Sequence, residues 1–358
     1  MGRASRRKRQ RNGPTGKEPA SRRPPPRLLR LYQKRIRQPS FVGENGVLVG
    51  RRQINIDYKG ERIVAVGSRL YRVPPEHTFH DFILRLLLDT VDGKAIFGTM
   101  HPLNSWFAEL GRLTAKHPPL AKGEVSSAIL TGGSKALVNT AYDVYSILHC
   151  SDLPGWLINR MRHPEQFQGV RYELAVAALF VRAGFVISWI SSDTQRRPEF
   201  TGVHSITGER VAVEAKSRHR PGVLGQPGEA RADVKAGLDR LLRDAIKKDP
   251  AGVPYAIFLD ANLPLADPNQ QAPRAWVGEV RNMLERYDAP TTPTPFSSVT
   301  ITNFSPHYDA APQTKATESV LFMPKYPRTA HPSSLGIDIV YEAAGQYGTV
   351  PAVFIEEE

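Results

Sequence analysis

The chain has 358 residues, a formal net charge of +13, 41% hydrophobic residues and one cysteine. No segment approaches the roughly 18 consecutive apolar residues that would cross a bilayer, which argues against a membrane partner. The single Cys150 excludes an internal disulfide and a cysteine-rich zinc site. Because such cysteine usage is typical of a reducing compartment, we expect a cytoplasmic protein.

The positive charge is concentrated at the N-terminus. Residues 1–40 hold 14 lysines and arginines but only one acid, Glu18, so they carry the whole excess and the rest of the chain is neutral. This segment is rich in proline and poor in core-forming residues, which predicts a disordered basic tail. Such a tail either adds non-specific affinity for nucleic-acid phosphates or serves as a solvated terminus, and its composition fits both.

Residues 41–155 are predicted to form a small domain in which a β-hairpin precedes helices. The alternating segments Gln53–Tyr58 and Arg62–Val66 flank Lys59-Gly60, which is a hairpin signal, and Arg69–Val73 continues the β-pattern. Helical periodicity follows from about Glu76 to Asp92, after Pro102, and from about Lys135 to Leu148.

The pattern between residues 156 and 308 is that of a mixed α/β unit. An almost wholly apolar helix stops at Gly184 and leads into β-type segments separated by helical ones. The predicted elements are strands at Phe185–Ile190, Glu199–Ile206 and Arg210–Arg218, a helix from about Ala230 to Lys248, a strand at Tyr255–Asp260, a helix at Trp276–Tyr287 and a strand at Ser298–Asn303. Residues 309–358 show weaker signals and are predicted to be a C-terminal extension.

The third of these strands contains the sequence VEAKSR. Because side chains alternate along a strand, Glu214, Lys216 and Arg218 point to one face and their apolar neighbours to the other. Glu199 opens the preceding strand, and Glu173 is an acid on the apolar helix. An acid-x-Lys triplet occurs by chance about once in a chain of this length, so the prediction depends on the combination of these elements.

This combination resembles the PD-(D/E)XK nuclease superfamily over roughly residues 165–305. In that superfamily a helix, three strands, a helix and a further strand follow one another, with one acid on the second strand and the E-x-K triplet on the third. Pro198-Glu199 matches the second-strand motif with glutamate in place of the usual aspartate, and Glu214-Ala215-Lys216 matches the triplet. The EF…H…TG…VEAKSR pattern also resembles a family of uncharacterised bacterial proteins. The resemblance implies a restriction-endonuclease-like α/β fold with a mixed sheet flanked by helices.

The resemblance also implies a metal-dependent nuclease that hydrolyses phosphodiester bonds of nucleic acid, with DNA favoured over RNA. Glu199 and Glu214 are the expected ligands of Mg²⁺ or Mn²⁺, which prefer hard oxygen donors. Lys216 would orient the attacking water or offset charge on the phosphorus, and Glu173 would support a second metal or a metal-bound water. The expected nucleic-acid contacts are Arg218 and Lys235.

Other interpretations remain open from the sequence. A degenerate member of the same fold would bind nucleic acid or a partner protein without cleaving, and an interaction protein would match the motif by accident. The residues also have ordinary alternatives, namely a solvent-facing ion pair for Glu214 and Lys216, an exposed acid for Glu199, a first-turn acid for Glu173 and a surface residue for His219. The spatial grouping of the three glutamates and Lys216 decides between these interpretations.

Overall fold

A computed structural model describes residues 41–42, 48–49, 54–58, 60–67, 69–118, 125, 127–191, 197–205, 207–229, 237–248, 250, 252–264, 274–288, 292–304, 306–308, 318–329 and 334–354. The predicted basic tail of residues 1–40 and the predicted nucleic-acid contact Lys235 lie outside the described residues.

Strands and helices are numbered here in chain order. The strands are β1 (Phe41–Val42), β2 (Leu48–Val49), β3 (Ile54–Tyr58), β4 (Glu61–Val66), β5 (Arg69–Val73), β6 (Phe185–Trp189), β7 (Phe200–His204), β8 (Arg210–Ser217), β9 (Tyr255–Asp260), β10 (Ser298–Asn303) and β11 (Glu318–Phe322). The helices are α1 (Phe79–Val91), α2 (Gly93–Ile96), α3 (Pro102–Lys116), α4 (Gly132–Leu148), α5 (Gly155–Arg162), α6 (Pro164–Arg182), α7 (Asp239–Ile246), α8 (Ala275–Glu285) and α9 (Ser334–Gly345).

The largest sheet has six strands in the order β11-β10-β9-β8-β7-β6. Strand β7 runs antiparallel to both β6 and β8, whereas β8, β9 and β10 are parallel to one another. A parallel pair needs a crossover connection, and α7 lies within the one that joins β8 to β9. From α6 to β9 the elements therefore follow in the expected order of helix, three strands, helix and strand.

Helix α6 is the element around which the apolar core is built. It begins with Pro164 at its first turn and is buried on nearly all sides from Phe167 onwards. Gly184 ends the helix in the left-handed region with φ of 90°, which is a conformation that favours glycine. The buried polar side chains of the helix have partners elsewhere: Arg171 with Asp260, Tyr172 with Thr302, Glu173 with Arg160, and Arg182 with Asp143.

Helices cover both faces of the large sheet. One core cluster contains Val211, Val213 and Ala215 of β8 together with α6 and the N-terminal helices. A second contains Ala212 of β8 together with residues of α7 and α8. The alternation predicted for β8 is thus confirmed, with its VEAKSR acid and lysine on the α7 side.

The N-terminal hairpin is confirmed. Strands β3, β4 and β5 form an antiparallel sheet in which Tyr58 pairs with Glu61 across Gly60. The first core cluster extends from Val64 in β4 to Phe354, so residues on both sides of position 155 contribute to it. The proposed domain boundaries at 155 and 308 stay a prediction. Among the described helices, none is long and apolar enough to cross a membrane.

The C-terminal residues hold more regular structure than the sequence pattern indicated. Strand β11 pairs antiparallel with β10 and forms one edge of the large sheet. Helix α9 leads to Tyr347, whose hydroxyl donates a hydrogen bond of 2.8 Å to the buried carboxylate of Asp143 in α4. Arg182 of α6 contacts the other oxygen of the same carboxylate at 3.0 Å. This network ties the C-terminal helix to the centre of the core.

Tyr347→Phe is expected to lower the free energy of unfolding by about 1.5–3 kcal/mol, the usual range for a hydrogen bond to a charged group. The phenylalanine ring retains the stacking on Phe304, whose centroid lies 4.0 Å away, so the loss reports the hydroxyl. Urea denaturation at pH 7 measures it, with Tyr341→Phe in the preceding helix α9 as the control. An equal, small effect of both substitutions would contradict the tether.

Candidate functional site

The two predicted metal ligands lie next to each other between neighbouring strands. Glu199 immediately precedes β7, where its N–H donates to the Val213 carbonyl of β8 and its carbonyl accepts from Ile190. The carboxylates of Glu199 and Glu214 both reach the ammonium of Lys248, at 3.1 and 2.8 Å respectively. They therefore share one cation on one side of the sheet, which confirms the predicted proximity.

Lys216 completes this cluster from the same strand as Glu214. Its Nζ lies 3.1 Å from Glu214 Oε1, and 22% of its side chain is exposed, against none of Glu214. Glu199 is also largely buried, with 16% of its side chain exposed. The alternatives of a solvent-facing ion pair for Glu214 and an exposed acid for Glu199 are therefore wrong.

The cost of burying the Glu214 carboxylate as an ion is larger than the stabilisation that its partners supply. Both lysines contact Oε1, Lys248 at 2.8 Å and Lys216 at 3.1 Å, whereas Oε2 has no hydrogen-bond partner among the described residues. Burial and the nearby charge of Glu199 raise the pKa of Glu214 from 4.5 to about 7. A buried carboxylate with one oxygen left without a donor is costly to ionise, and a shifted pKa of this kind is typical of functional sites.

Lys248 is the site residue that the sequence pattern missed. It lies in the turn after α7, where its N–H donates to the Ala245 carbonyl. Burial alone would lower the pKa of Lys248, but attraction to Glu214 and Glu199 outweighs it and raises the pKa. The ammonium therefore stays charged and acts as the counter-ion of both carboxylates. The sequence shows Lys247-Lys248 at the end of an amphipathic helix, but this pattern does not indicate which of the two lysines points towards the core.

Glu173 is near the cluster but is committed to another partner. Arg160 of α5 donates two hydrogen bonds of 2.7 Å, one to each of its carboxylate oxygens. Burial and the charge of Glu199 raise the pKa of Glu173 to about 7. Because α6 begins at Pro164, Glu173 lies in the middle of the helix, and the first-turn interpretation of this acid is wrong. Arg160 was not identified from the sequence.

Arg218 and His219 follow β8 at the edge of the cluster. The Arg218 N–H donates to the Asp260 carbonyl at 3.1 Å, and its side chain is half-buried. His219 is exposed, as expected. Its ring nevertheless reaches the Gly169 turn of α6 near the Glu173 carboxylate: a Cβ added to Gly169 would lie 3.5 Å from His219 Nε2 and 3.8 Å from Glu173 Oε1. Partial burial and the cations Arg160 and Lys216 lower the pKa of His219.

The segment that leaves β8 is fixed by the amide of Gln168 on α6. Its oxygen accepts from the Arg220 N–H at 2.9 Å, and its nitrogen donates to the Arg220 carbonyl and to that of Val223. Asn262, after β9, donates to the Arg218 carbonyl at 3.0 Å. These contacts hold the backbone on the C-terminal side of Lys216, so they position the lysine indirectly.

The donor set fits a divalent ion only in part. Within the described ranges, no three His, Cys, Asp or Glu side chains come together in a group that would hold a metal. Glu173 is occupied by Arg160, so the available donors are Glu199 and Glu214. Their carboxylates converge on the Lys248 ammonium, and Oε2 of Glu214 has no partner among the described residues, which suits Mg²⁺ or Mn²⁺ if that ammonium moves away.

Comparison with protein-family models, with curated proteins and with solved structures finds no match to this chain. Two adjacent buried carboxylates, two ammonium groups and a neighbouring guanidinium form an arrangement that suits a cation and a phosphate group.

Proposed function

We propose that the chain has a restriction-endonuclease-like fold and hydrolyses phosphodiester bonds of nucleic acid with the help of a divalent metal. The observation that carries the proposal is the buried carboxylate of Glu214, 3.1 Å from Lys216 and sharing a cation with Glu199. The order of elements from α6 to β9 supports the fold assignment, because the E-x-K strand follows the strand that Glu199 opens.

Each residue has a role in this proposal. Glu199 and Glu214 would hold Mg²⁺ or Mn²⁺, and the bound ion would polarise a phosphoryl oxygen and make a water more acidic. Lys216, partly exposed beside Glu214, orients the attacking water and offsets negative charge on the phosphate. Arg218 contacts a neighbouring phosphate through its guanidinium. Glu173 keeps Arg160 in place at the edge of the site.

Nucleic acid, with DNA favoured over RNA, is the proposed substrate. Residues 41–358 carry no net charge, so residues 1–40 are the main source of non-specific attraction to phosphates. Lys235 stays a predicted contact. The site itself binds the scissile phosphate.

A second candidate is a module of the same fold that binds nucleic acid or a partner protein without cleaving it. One observation favours it, namely that the Lys248 ammonium lies between Glu199 and Glu214, where a cation is needed for catalysis. A nuclease must release this contact, whereas a binding module can keep it as a structural ion pair.

A cleavage assay on the purified full chain tests the main proposal. Plasmid DNA, single-stranded DNA and RNA are incubated with Mg²⁺ or Mn²⁺, and we expect cleavage that EDTA abolishes and Ca²⁺ does not restore. Lys216→Ala is expected to lower turnover by about 10²–10³-fold, since it removes charge stabilisation at the phosphate. Lys247→Ala, which changes an exposed lysine, is the matched control.

Two outcomes would contradict the proposal. Undiminished cleavage by Lys216→Ala would show that the activity belongs to a contaminant or to another site. Tight binding of nucleic acid without cleavage under any of these ions would favour the binding module instead.

A further inference from the structure

The position of Lys248 is set by a fixed helix end. Its backbone N–H donates to the Ala245 carbonyl at 2.9 Å, and the buried hydroxyl of Tyr255 in β9 donates to the same carbonyl at 2.8 Å. The end of α7 is thereby fastened to the strand beside β8. From that anchor the side chain of Lys248 extends to Glu199 and Glu214 with 21% of its surface exposed.

The adjacent lysine behaves differently. The side chain of Lys247 is 69% exposed and contacts Asp244 on the surface of α7 at 2.8 Å. Two consecutive lysines thus have the same chemistry but opposite environments, and only Lys248 reaches the buried carboxylates. The chain itself therefore offers a matched control for any experiment on Lys248.

The Lys248 ammonium lies between Oε1 of Glu199 and Oε1 of Glu214, which is the position that a divalent ion shared by the two carboxylates would take. Glu214 has no exposed side-chain surface and Glu199 little, so water does not compensate their charges. A cation must therefore lie between them whenever both are ionised. An ammonium carries one positive charge and a divalent ion two, and the convergent oxygens cannot hold both at once.

We propose that Lys248 is a tethered competitor of the metal, which occupies the cation position between Glu199 and Glu214 and must be displaced before a divalent ion binds. The inference rests on the proposed function, because it takes these two glutamates as the metal ligands. Lysine suits the role, since its ammonium is a compact charge on a flexible four-carbon chain that can withdraw towards solvent. Lys248 thereby sets the metal affinity of the site.

A purely structural counter-ion would make a different prediction. If Lys248 only holds the two strands and α7 together, its removal loosens the glutamates and weakens metal binding. If Lys248 competes with the metal, its removal leaves the two carboxylates with Lys216 as their one remaining ammonium contact, on Glu214, and metal binding becomes tighter. The sign of the change in metal affinity therefore separates the two roles.

Binding of Mn²⁺ alone to the full-length chain, measured by electron paramagnetic resonance and by calorimetry, tests the inference. Lys248→Met keeps an unbranched side chain of similar length but removes the charge. We expect Lys248→Met to bind Mn²⁺ at least about tenfold more tightly than the wild type, as for loss of one close competing interaction. Lys247→Met is expected to leave Mn²⁺ affinity unchanged.

Thermal unfolding gives a second readout. Without metal, Lys248→Met is expected to melt at a lower temperature than the wild type, because the carboxylates lose their counter-ion. Saturating Mn²⁺ is expected to raise the melting temperature of Lys248→Met more than that of the wild type, since the ion binds only the folded state. Equal shifts in both proteins would overturn the inference.

The remaining outcomes also decide the question. Unchanged or weaker Mn²⁺ binding by Lys248→Met overturns the inference. If that variant does not fold, Lys248→Arg keeps the charge and must bind Mn²⁺ no more tightly than the wild type, and a tenfold gain would overturn the inference. Tighter Mn²⁺ binding by Lys248→Met without nucleic-acid cleavage would support the competitor role and refute the proposed function, and cleavage without that gain would do the reverse.

Discussion

Glu214→Gln is expected to abolish phosphodiester cleavage and, above pH 7, to make the folded protein more stable. The substitution removes one of the two acidic oxygen donors of the site, and we expect turnover to fall by about 10³-fold or more, at the upper end of effects of single electrostatic groups. It also removes a charge from a position with no solvent exposure, and the free energy of unfolding at pH 8 is expected to rise by about 1–3 kcal/mol.

The pH dependence follows from the raised pKa. The folded pKa of Glu214 is about 7, above its ordinary value of 4.5, so the folded state holds a proton that the unfolded state releases. This contribution to stability is fully present below pH 4.5 and is lost as the pH rises through 7. Glu173 shows a shift in the same direction. The wild type should therefore lose stability between about pH 4.5 and 7, and Glu214→Gln should lose less.

Urea denaturation between pH 4 and 8 measures this difference, and the cleavage assay measures the loss of activity. Glu285→Gln, on the exposed side of α8, is the control and should change neither quantity. A Glu214→Gln variant that is less stable than the wild type at pH 8 would contradict the expected cost of the buried charge. It would indicate that the ion pairs with Lys216 and Lys248 stabilise the fold.

Local patterns were sufficient to predict the strands that carry the site. The bounds of β9 and β10 agree with the predicted segments, because β9 is a short apolar run after Pro254 and β10 is a short run rich in β-branched residues. Alternation along β8 placed Glu214 and Lys216 on one face, and the structure confirms it. Period-two alternation is a property of the backbone and is independent of the remaining fold, so one sequence is enough to read it.

The parts that were missed depend on contacts between distant segments. Strand β11 is half-buried along its whole length and has no clear alternation, so its place at the edge of the sheet follows from pairing with β10. The inward turn of Lys248 depends on how the end of α7 docks on β9. The pairing of Arg160 with Glu173 depends on the angle between α5 and α6. None of these relations has a local sequence signal.

The contacts of Lys248 with Glu199 and Glu214, and of Arg160 with Glu173, therefore depend on the tertiary structure. Glu199 influences the pKa values of Glu173 and Glu214, although α6 and α7 cover opposite faces of the sheet. A change of charge at Glu199 is thus communicated to both neighbouring carboxylates. The site consists of one coupled acidic group with three cationic partners, and it differs in this respect from the simple acid pair that the sequence motif predicts.

The buried carboxylate of Asp260 stabilises the end of the strand that carries Lys216. It accepts hydrogen bonds from the Phe304 N–H at 3.0 Å and from the Ser217 hydroxyl at 3.2 Å, and Arg171 of α6 lies 3.5 Å away. Asp260 has no exposed side-chain surface and Arg171 has 2%. Because Ser217 directly follows Lys216, this contact fixes the backbone next to the proposed catalytic lysine.

Asp260→Asn is expected to destabilise the fold by about 3–5 kcal/mol, because it keeps an acceptor for Phe304 but leaves the Arg171 guanidinium buried without its counter-ion. Urea denaturation at pH 7 measures the loss. The double variant Arg171→Met with Asp260→Asn removes both charges and should recover a large part of it. Equal losses in the single and double variants would show that shape, and not the unpaired charge, determines the effect. In the cleavage assay we expect the double variant to retain more activity than Asp260→Asn, since Ser217 and Lys216 are then held in a folded strand.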